Sequence, residues 1–369
     1  MKRYLYTLLG LLLFTACSND EELELDSTGL ATVTYLTTPN GLGDNSYNDE
    51  AAEGIFAFAF ETGTRLRLLQ PNNDTEAEQM YSQWLAENAD ADSAVLIIGS
   101  SVYEQMARRV STLHQAELAD IHQRGGRVLL FETEAAIDGI TTIDVSRYGA
   151  SYLCGAMSGA FDALILSAVK GNPLLEESIK GFLDGYNAHH SEGTRVEVHY
   201  LSDNETGFAM PDSAYRFISR RDETIGNWDE MIFPLLGGSE TGVLRYLNDE
   251  EFTMALMIGM DTDLTGMSTR IPFSMVIRIG DVLHRYLNDW REGHEWPTRQ
   301  RLGMKDGAAD IVITPQFNQH LNIWDDRYND PDTFQRLYEQ YKEEAMREEE
   351  SLTPNPSPVG EGSAERKGE

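Results

Sequence analysis

The stretch Tyr35-Leu36-Thr37-Thr38-Pro39-Asn40-Gly41-Leu42-Gly43-Asp44-Asn45-Ser46-Tyr47-Asn48-Asp49-Glu50-Ala51-Ala52-Glu53-Gly54-Ile55 decides the fold. A β-branched run over 31–36 passes into a loop of Gly, Pro and Asn, and an amphipathic helix opens at about Ser46. A strand that turns straight into a helix is the repeating unit of parallel α/β sheets. Open sheets of that kind take ligands just beyond the carboxyl ends of their strands. Asp44, Tyr47 and Asn48 therefore stand where a ligand would be met. Asp44 and Asn48 either contact that ligand or cap the helix. Ser46, with Asp49 three residues on, has the form of a capping box in which Asp replaces the usual Glu. Tyr47 either stacks on the ligand, which would contribute ~1–3 kcal/mol, or anchors the helix start in the core.

Outward from this unit, apolar runs at 31–36, 65–69, 94–98, 128–131, 163–168, 196–200, 231–235, 254–258 and 275–279, the last open to a helical reading, alternate with helical patterns. The helices are expected over 47–61, 75–87, 103–124, 148–161, 175–189, 212–221, 240–247 and 281–292. Apolar strands between helices belong to parallel sheets covered on both faces. The expected class is α/β, with two doubly wound Rossmann-like lobes and a ligand cleft between them. A closed eight-fold barrel is the competitor. The N-terminal lobe is expected over 32–145 plus 274–300, and the C-terminal lobe over 146–273 plus 301–317. An acidic helix over 318–350, with Phe334, Leu337, Tyr338 and Tyr341 along one side, packs on a lobe or merely extends. Residues 351–369 are rich in Pro and Gly, have no core-forming pattern and are expected to be disordered.

The start of the chain carries an address. Lys2 and Arg3 precede an apolar run over 5–14, and Thr15-Ala16 leads to Cys17. This is a signal-peptide pattern over 1–16, too short in its apolar part to span a bilayer. Leu13-Phe14-Thr15-Ala16-Cys17 resembles a bacterial lipobox, although Phe14 is larger than usual there. The resemblance implies cleavage before Cys17, lipid attachment to it, and a lipidated tether over 17–30. The alternative is a plain signal peptide with a chance cysteine. With Cys17 acylated, Cys154 is left without a disulfide partner and is expected to be an inert core thiol. Ser18 rather than Asp after Cys17 argues against inner-membrane retention, so an outer-membrane location on the periplasmic face or the cell surface is expected, and the acidic residues behind it resemble surface-export tethers or form a solvated spacer.

The chain has 61 acidic and 29 basic residues, a formal charge of −32. Such a surface repels phosphate backbones, which argues against nucleic acid as a partner. The sequence has no Gly-x-Ser-x-Gly elbow and no His-Glu-x-x-His, and its eight histidines are scattered. An enzyme, a metal site and a cofactor are accordingly not expected.

Six further segments carry a resemblance when taken in order. Gly41-Leu42-Gly43-Asp44-Asn45-Ser46-Tyr47-Asn48 is followed by Tyr148-Gly149-Ala150-Ser151-Tyr152-Leu153-Cys154-Gly155 and by Gly181-Phe182-Leu183-Asp184-Gly185-Tyr186. Gly237-Gly238 with Gly242, Ile258-Gly259-Met260-Asp261-Thr262-Asp263, and Leu302-Gly303-Met304-Lys305-Asp306-Gly307 complete the series. Together they resemble the basic-membrane-protein family of lipoproteins, purine-nucleoside receptors of the type I periplasmic-binding-protein fold. The resemblance implies a lipid-anchored solute-binding protein, a nucleoside-like ligand and an ABC-type permease as partner. It places Asp261 and Asp263 on ribose hydroxyls, where the competing reading is a turn. It brings the backbone of Gly237 and Gly238 close to the ligand, and puts Glu132 where the family usually has Asp at a strand end. Phe182 faces the cleft or fills the lobe core. Two positions depart from the family: Leu264 stands for Gln, and Ile277 for a ligand-holding Lys, with Arg278 one step on. A one-residue shift on a strand points the side chain to the other face. A surface lipoprotein that senses or docks through a degraded cleft is therefore the alternative.

Overall fold

A computed structural model of the chain describes residues 32–39, 41–43, 47–225, 230–249, 253, 255–314 and 331–352. The expected signal peptide, Cys17 and its tether, Asp44, Ser46, the segment 315–330 and the tail beyond Leu352 lie outside the described residues.

Twelve strands are described. They are β1 (Thr32–Leu36), β2 (Arg65–Leu69), β3 (Val95–Gly99), β4 (Arg127–Phe131), β5 (Thr141–Val145), β6 (Asp162–Val169), β7 (Val196–Ser202), β8 (Glu230–Leu235), β9 (Leu256–Met257), β10 (Phe273–Ile277), β11 (Arg299–Leu302) and β12 (Ala309–Ile313). The first sheet runs β2-β1-β3-β4-β5-β11 and the second β7-β6-β8-β9. Every pairing within these two sheets is parallel. Strands β10 and β12 pair antiparallel. Two backbone bonds of Gly259 hold β10 beside the end of the second sheet: Gly259 N–H to Phe273 O at 3.1 Å, and Met275 N–H to Gly259 O at 2.8 Å.

The apolar runs become central strands because helices cover both faces of each sheet. Along β3, Val95 and Ile97 face one core with Tyr35, Leu129 and Phe131, while Leu96 and Ile98 face the other with Trp84 and Tyr103. This is the period-two alternation of a strand buried on both sides. The covering helices are α1 (Tyr47–Thr62), α2 (Asp74–Asn88), α3 (Glu104–Leu113), α4 (Gln115–Gln123), α5 (Tyr148–Met157), α6 (Pro173–His189), α7 (Pro211–Ile225), α8 (Glu240–Asp249), α9 (Ile279–Arg291) and α10 (Pro331–Leu352).

Several expectations are corrected. The helix expected over 103–124 is two, with a bend at His114, where φ is −115° and ψ 36°. A polar residue falls there on the stripe Ala107, Val110, Leu118, Ile121, and the chain turns instead of burying it. The run 275–279 is not one strand: β10 ends at Ile277 and α9 starts at Ile279. Strand β10 was expected with the N-terminal lobe from 274, but it pairs with β12 beside the second sheet. Conversely, 301–302 stay with the first sheet, because β11 pairs with β5 along its whole length. The chain thus crosses between the sheets after Val145, after Ile277 and after Leu302. Helix α10 lies against α5 through the buried Tyr341 and Ala345.

Helix α9 returns to the first sheet and packs on α1 at glycine contacts. A Cβ on Gly54 would lie 2.0 Å from the Gly280 carbonyl oxygen, and one on Gly280 would lie 2.4 Å from that of Glu50. Gly54→Ala should therefore force these helices apart and cost about 1–3 kcal/mol. The measurement is the urea midpoint, and an unchanged midpoint would mean that the two backbones do not touch.

Candidate functional site

Both sheets reverse strand order at one point, and there the loops diverge to leave a crevice at the carboxyl ends. In the first sheet this point lies between β1 and β3, in the second between β6 and β8. The first is built by the loop that opens the sequence reading. Asn48, 2% exposed, receives the Thr38 N–H at 3.3 Å and donates from Nδ2 to Thr38 Oγ1 at 2.8 Å. Tyr103 O–H donates to Thr37 O at 3.0 Å, which ties this loop to the one after β3. Asn48 thus fastens its own loop to Thr38, and its Oδ1 also accepts from Tyr35 O–H at 3.4 Å. Asp49 does not simply close a capping box, since its Oδ1 accepts the Gly43 N–H at 2.7 Å. Tyr47 is the first residue of α1, and its side chain is outside the described residues.

At the second switch point, Gly237 has φ +51°, and a Cβ there would lie 3.1 Å from the Phe208 ring. A Cβ on Gly238 would lie 3.2 Å from Phe208 O. The close approach that these glycines allow is therefore to the 205–209 turn. Ser239 Oγ seals that contact by donating to Gly207 O at 2.7 Å. Phe182 is fully buried and stacks on Phe233, with centroids 4.8 Å apart. It is a core residue of the second lobe and does not face the cleft. The spacing of an apolar α6 stripe, Ile179, Phe182 and Tyr186, explains this directly.

Glu132 and Asp261 come together from opposite sheets. Each follows a strand, and each has a left-handed backbone, with φ +64° and +62° respectively. Non-glycine residues there carry strain that the surrounding structure must hold, and such strain concentrates at ligand sites. Between them lies Arg147, on the first crossing, which is buried and ion-paired to the buried Glu132. Burial works against the Arg147 charge, but Glu132, Asp261 and Asp144 outweigh it and hold its pKa above the ordinary value. Burial pushes the Glu132 carboxyl up to about 7, with Asp261 and Asp144 adding to the rise and Arg147 opposing it. Glu240, at the start of α8, is also buried. Its carboxyl is held well above the usual range by burial and then by Asp261, and its Oε1 accepts the Met260 N–H at 3.2 Å.

A cavity of about 520 Å³ opens beside Glu132, with walls from both lobes. Ser101, Glu104, Thr133 and Asp144 line it from the first sheet, and Asn172 and Glu177 from the start of α6. Arg301 of β11 crosses this cavity. It pairs with Glu134, reaches Asp144 at 3.1 Å, and pairs with Glu177 on the other lobe. Burial, reinforced by Asp144, raises the Glu177 carboxyl to about 7. A second cavity of about 440 Å³ lies between α1, α9 and the loop that carries Asp261 and Asp263. Asp263 is exposed, and its Oδ1 accepts from Thr265 N–H at 2.9 Å and Oγ1 at 2.7 Å, an Asx-type turn. The two departures are turned inward: Leu264 packs on the second-lobe core, and Ile277 is 1% exposed. Arg147, Asp144, Glu177, Glu240 and Arg301 were not singled out in the sequence. The available signal was a lone Arg between an apolar run and a helix, and an Asp inside the Thr-Thr-Ile-Asp-Val strand.

No protein-family model and no curated protein matches the sequence. Solved structures do. A solute-binding protein of an ABC transporter system from Aeropyrum pernix K1 aligns with TM-score 0.67 at 16% identity, over 87% of this chain and 92% of its own. The chain has the fold of the periplasmic solute-binding proteins. A transcriptional activator of the comK gene from Bacillus halodurans aligns with TM-score 0.58 at 14% identity, over 80% and 97% of the two chains. A solute-binding protein of an ABC transporter from Burkholderia graminis C4D1M, in complex with D-arabinose, aligns with TM-score 0.53 at 15% identity, over 78% and 96%. At such identities the likeness speaks for the two-lobed fold and leaves the ligand open.

The raised carboxyls give stability a pH dependence. Between about pH 4.5 and 7 the folded chain holds protons on Glu132 and Glu177 that the unfolded chain has released. Unfolding free energy therefore falls as pH rises through that window. Melting temperature should be higher at pH 5 than at pH 7.5. Glu177→Gln, which cannot titrate, should remove part of that slope in a thermal-shift pH series.

Proposed function

We infer that this chain is an extracytoplasmic solute-binding protein that closes its two lobes on a small polyhydroxylated ligand. The observation that carries the reading is the pairing of Glu132 with Asp261. These are two acidic residues in left-handed backbone, at strand carboxyl ends of opposite lobes, coupled through one buried Arg147. Asp261, and Glu132 in its ionised form, would accept ligand hydroxyls at about 1.5–3 kcal/mol for each charge-assisted bond. The described lining of the cavity beside Glu132 combines Glu104, Thr133, Asp144 and Asn172 with Ala135, Pro173 and Leu174 and includes no aromatic ring, which suits hydroxyl-rich solutes, while Asp261 lines the second cavity. A nucleoside, the ligand favoured by the basic-membrane-protein resemblance, would need a ring to stack on its base, and Tyr47 is the residue to which the resemblance assigns that contact. Binding selects the closed arrangement by differential affinity, and no covalent chemistry is called for. The lipid anchor at Cys17 would hold the receptor on the envelope, on the outer membrane, where it would hand its ligand to an ABC-type permease.

One observation favours the second reading, a sensor or docking module with a degraded cleft. The positions where the family has Gln and Lys are occupied by Leu264 and Ile277, and both side chains face the core. Calorimetry with adenosine, guanosine, inosine, D-arabinose and D-galactose separates the two. A receptor gives saturable heat with one class, and Asp261→Asn weakens it at least about tenfold, the loss of one such bond. No heat with any of these solutes would overturn the receptor reading and leave the docking module.

A further inference from the structure

The last turns of the last described helix include Arg347-Glu348-Glu349-Glu350, which by composition is an acidic run expected to be solvated. The fold separates these residues. Glu350 pairs with Lys305 at the surface, whereas Glu349 is only 7% exposed. Its Oε1 accepts the Gly149 N–H at 3.1 Å and its Oε2 the Met304 N–H at 2.9 Å. Gly149 is the second residue of α5, just past the first crossing, and Met304 follows the third crossing. An N–H in the first turn of a helix has no partner within that helix, so for Gly149 the carboxylate supplies the acceptor. The slot is shaped for this group. A Cβ on Gly149 would lie 2.9 Å from the Glu349 carboxyl carbon, and one on Gly303 would lie 2.3 Å from its Oε2.

The helix that delivers Glu349 is itself fixed to the second lobe. Tyr152 O–H donates to Glu344 Oε1 at 2.5 Å, His189 Nε2 lies 3.2 Å from the same oxygen, and Lys342 reaches Asp310 at 2.5 Å. Tyr341 and Ala345 are buried on the same side.

We propose that α10 is a hinge strap. Its Glu349 carboxylate, bonded to backbone N–H groups just past the first and third crossings, makes the ends of the two crossings move as one body and restricts how far the lobes open. Hinge motion is taken up by backbone rotation in the crossing segments. Segments that part from each other would strip a buried carboxylate of its donors, an expensive state. Opening is thereby confined to motions that keep both bonds. The strap depends on no particular ligand and stands whether or not the receptor reading does.

The test uses the full chain without ligand. Spin labels at Asp90→Cys and Glu192→Cys, exposed positions on the two lobes, report the interlobe distance distribution. Glu349→Gln keeps the shape but turns an amide donor toward a backbone N–H. It should broaden the distribution, as should Glu349→Ala, and should speed hydrogen exchange at Gly149 and Met304 about tenfold, the effect of losing one net bond. Glu344→Gln, on the same helix but tied within one lobe, should leave the distribution unchanged. Equal widths in parent and Glu349 variants that unfold cooperatively would overturn the strap. So would the same broadening in Glu344→Gln. If the Glu349 variants do not fold, the parent alone decides: Gly149 and Met304 amides held by one carboxylate should be protected and exchange together. Unlike rates would overturn the strap.

Discussion

A single buried cation organises the middle of this molecule. Arg147 sits on the first crossing, where the lobes meet, and a guanidinium cannot be left there without counter-charges. Glu132 reaches it from the end of β4, while Asp144 acts from within β5 and Asp261 from the far lobe. The position of each acidic residue follows from that requirement. The left-handed backbone at Glu132 and Asp261 is the local expense of aiming both groups inward. The arrangement also explains why Glu132 sits so high on the pH scale: desolvation outweighs even a direct ion pair.

Arg301 repeats the theme closer to solvent. It lies on the last strand of the first sheet, yet it pairs with Glu177 of the second lobe as well as with Glu134 and Asp144 of its own. It therefore works across the opening rather than behind it. A ligand entering beside Arg301 must share those carboxylates or displace the guanidinium. The charge that matters at this site is thus the balance among paired groups, and the bulk −32 of the chain says little about it.

The fold was largely legible because its central strands are covered on both sides, which writes them into the sequence as continuous apolar runs. Strands β5, β11 and β12 escaped because they carry Asp144, Arg301 and Asp310, charges that serve the cleft or α10 rather than the core. Of the residues that the family resemblance singled out, Glu132 and Asp261 follow strands of opposite lobes and both act on Arg147. The site was illegible where the answer depended on partners far along the chain. Nothing near Asn48 announces that it will bond Thr38, and Gly237 and Gly238 look the same whether they face a solute or Phe208. Phe182 stands open between cleft and core in the sequence, and the apolar stripe of Ile179, Phe182 and Tyr186 on α6 accounts for its place in the core.

The returns of α9 and β11 to the first sheet bear on how the chain comes to be folded. A chain stopped at Val145 would have β5 as an open edge and the glycine face of α1 bare, since Ile279–Arg291 and Arg299–Leu302 are still to come. Neither lobe is a contiguous piece of polypeptide, so neither can be cut out whole or finished first. Pairings this distant in sequence form slowly, and unfinished parallel edges are sticky. A chain emerging from its amino end thus cannot close the first sheet before Leu302 or the β10–β12 pair before Ile313.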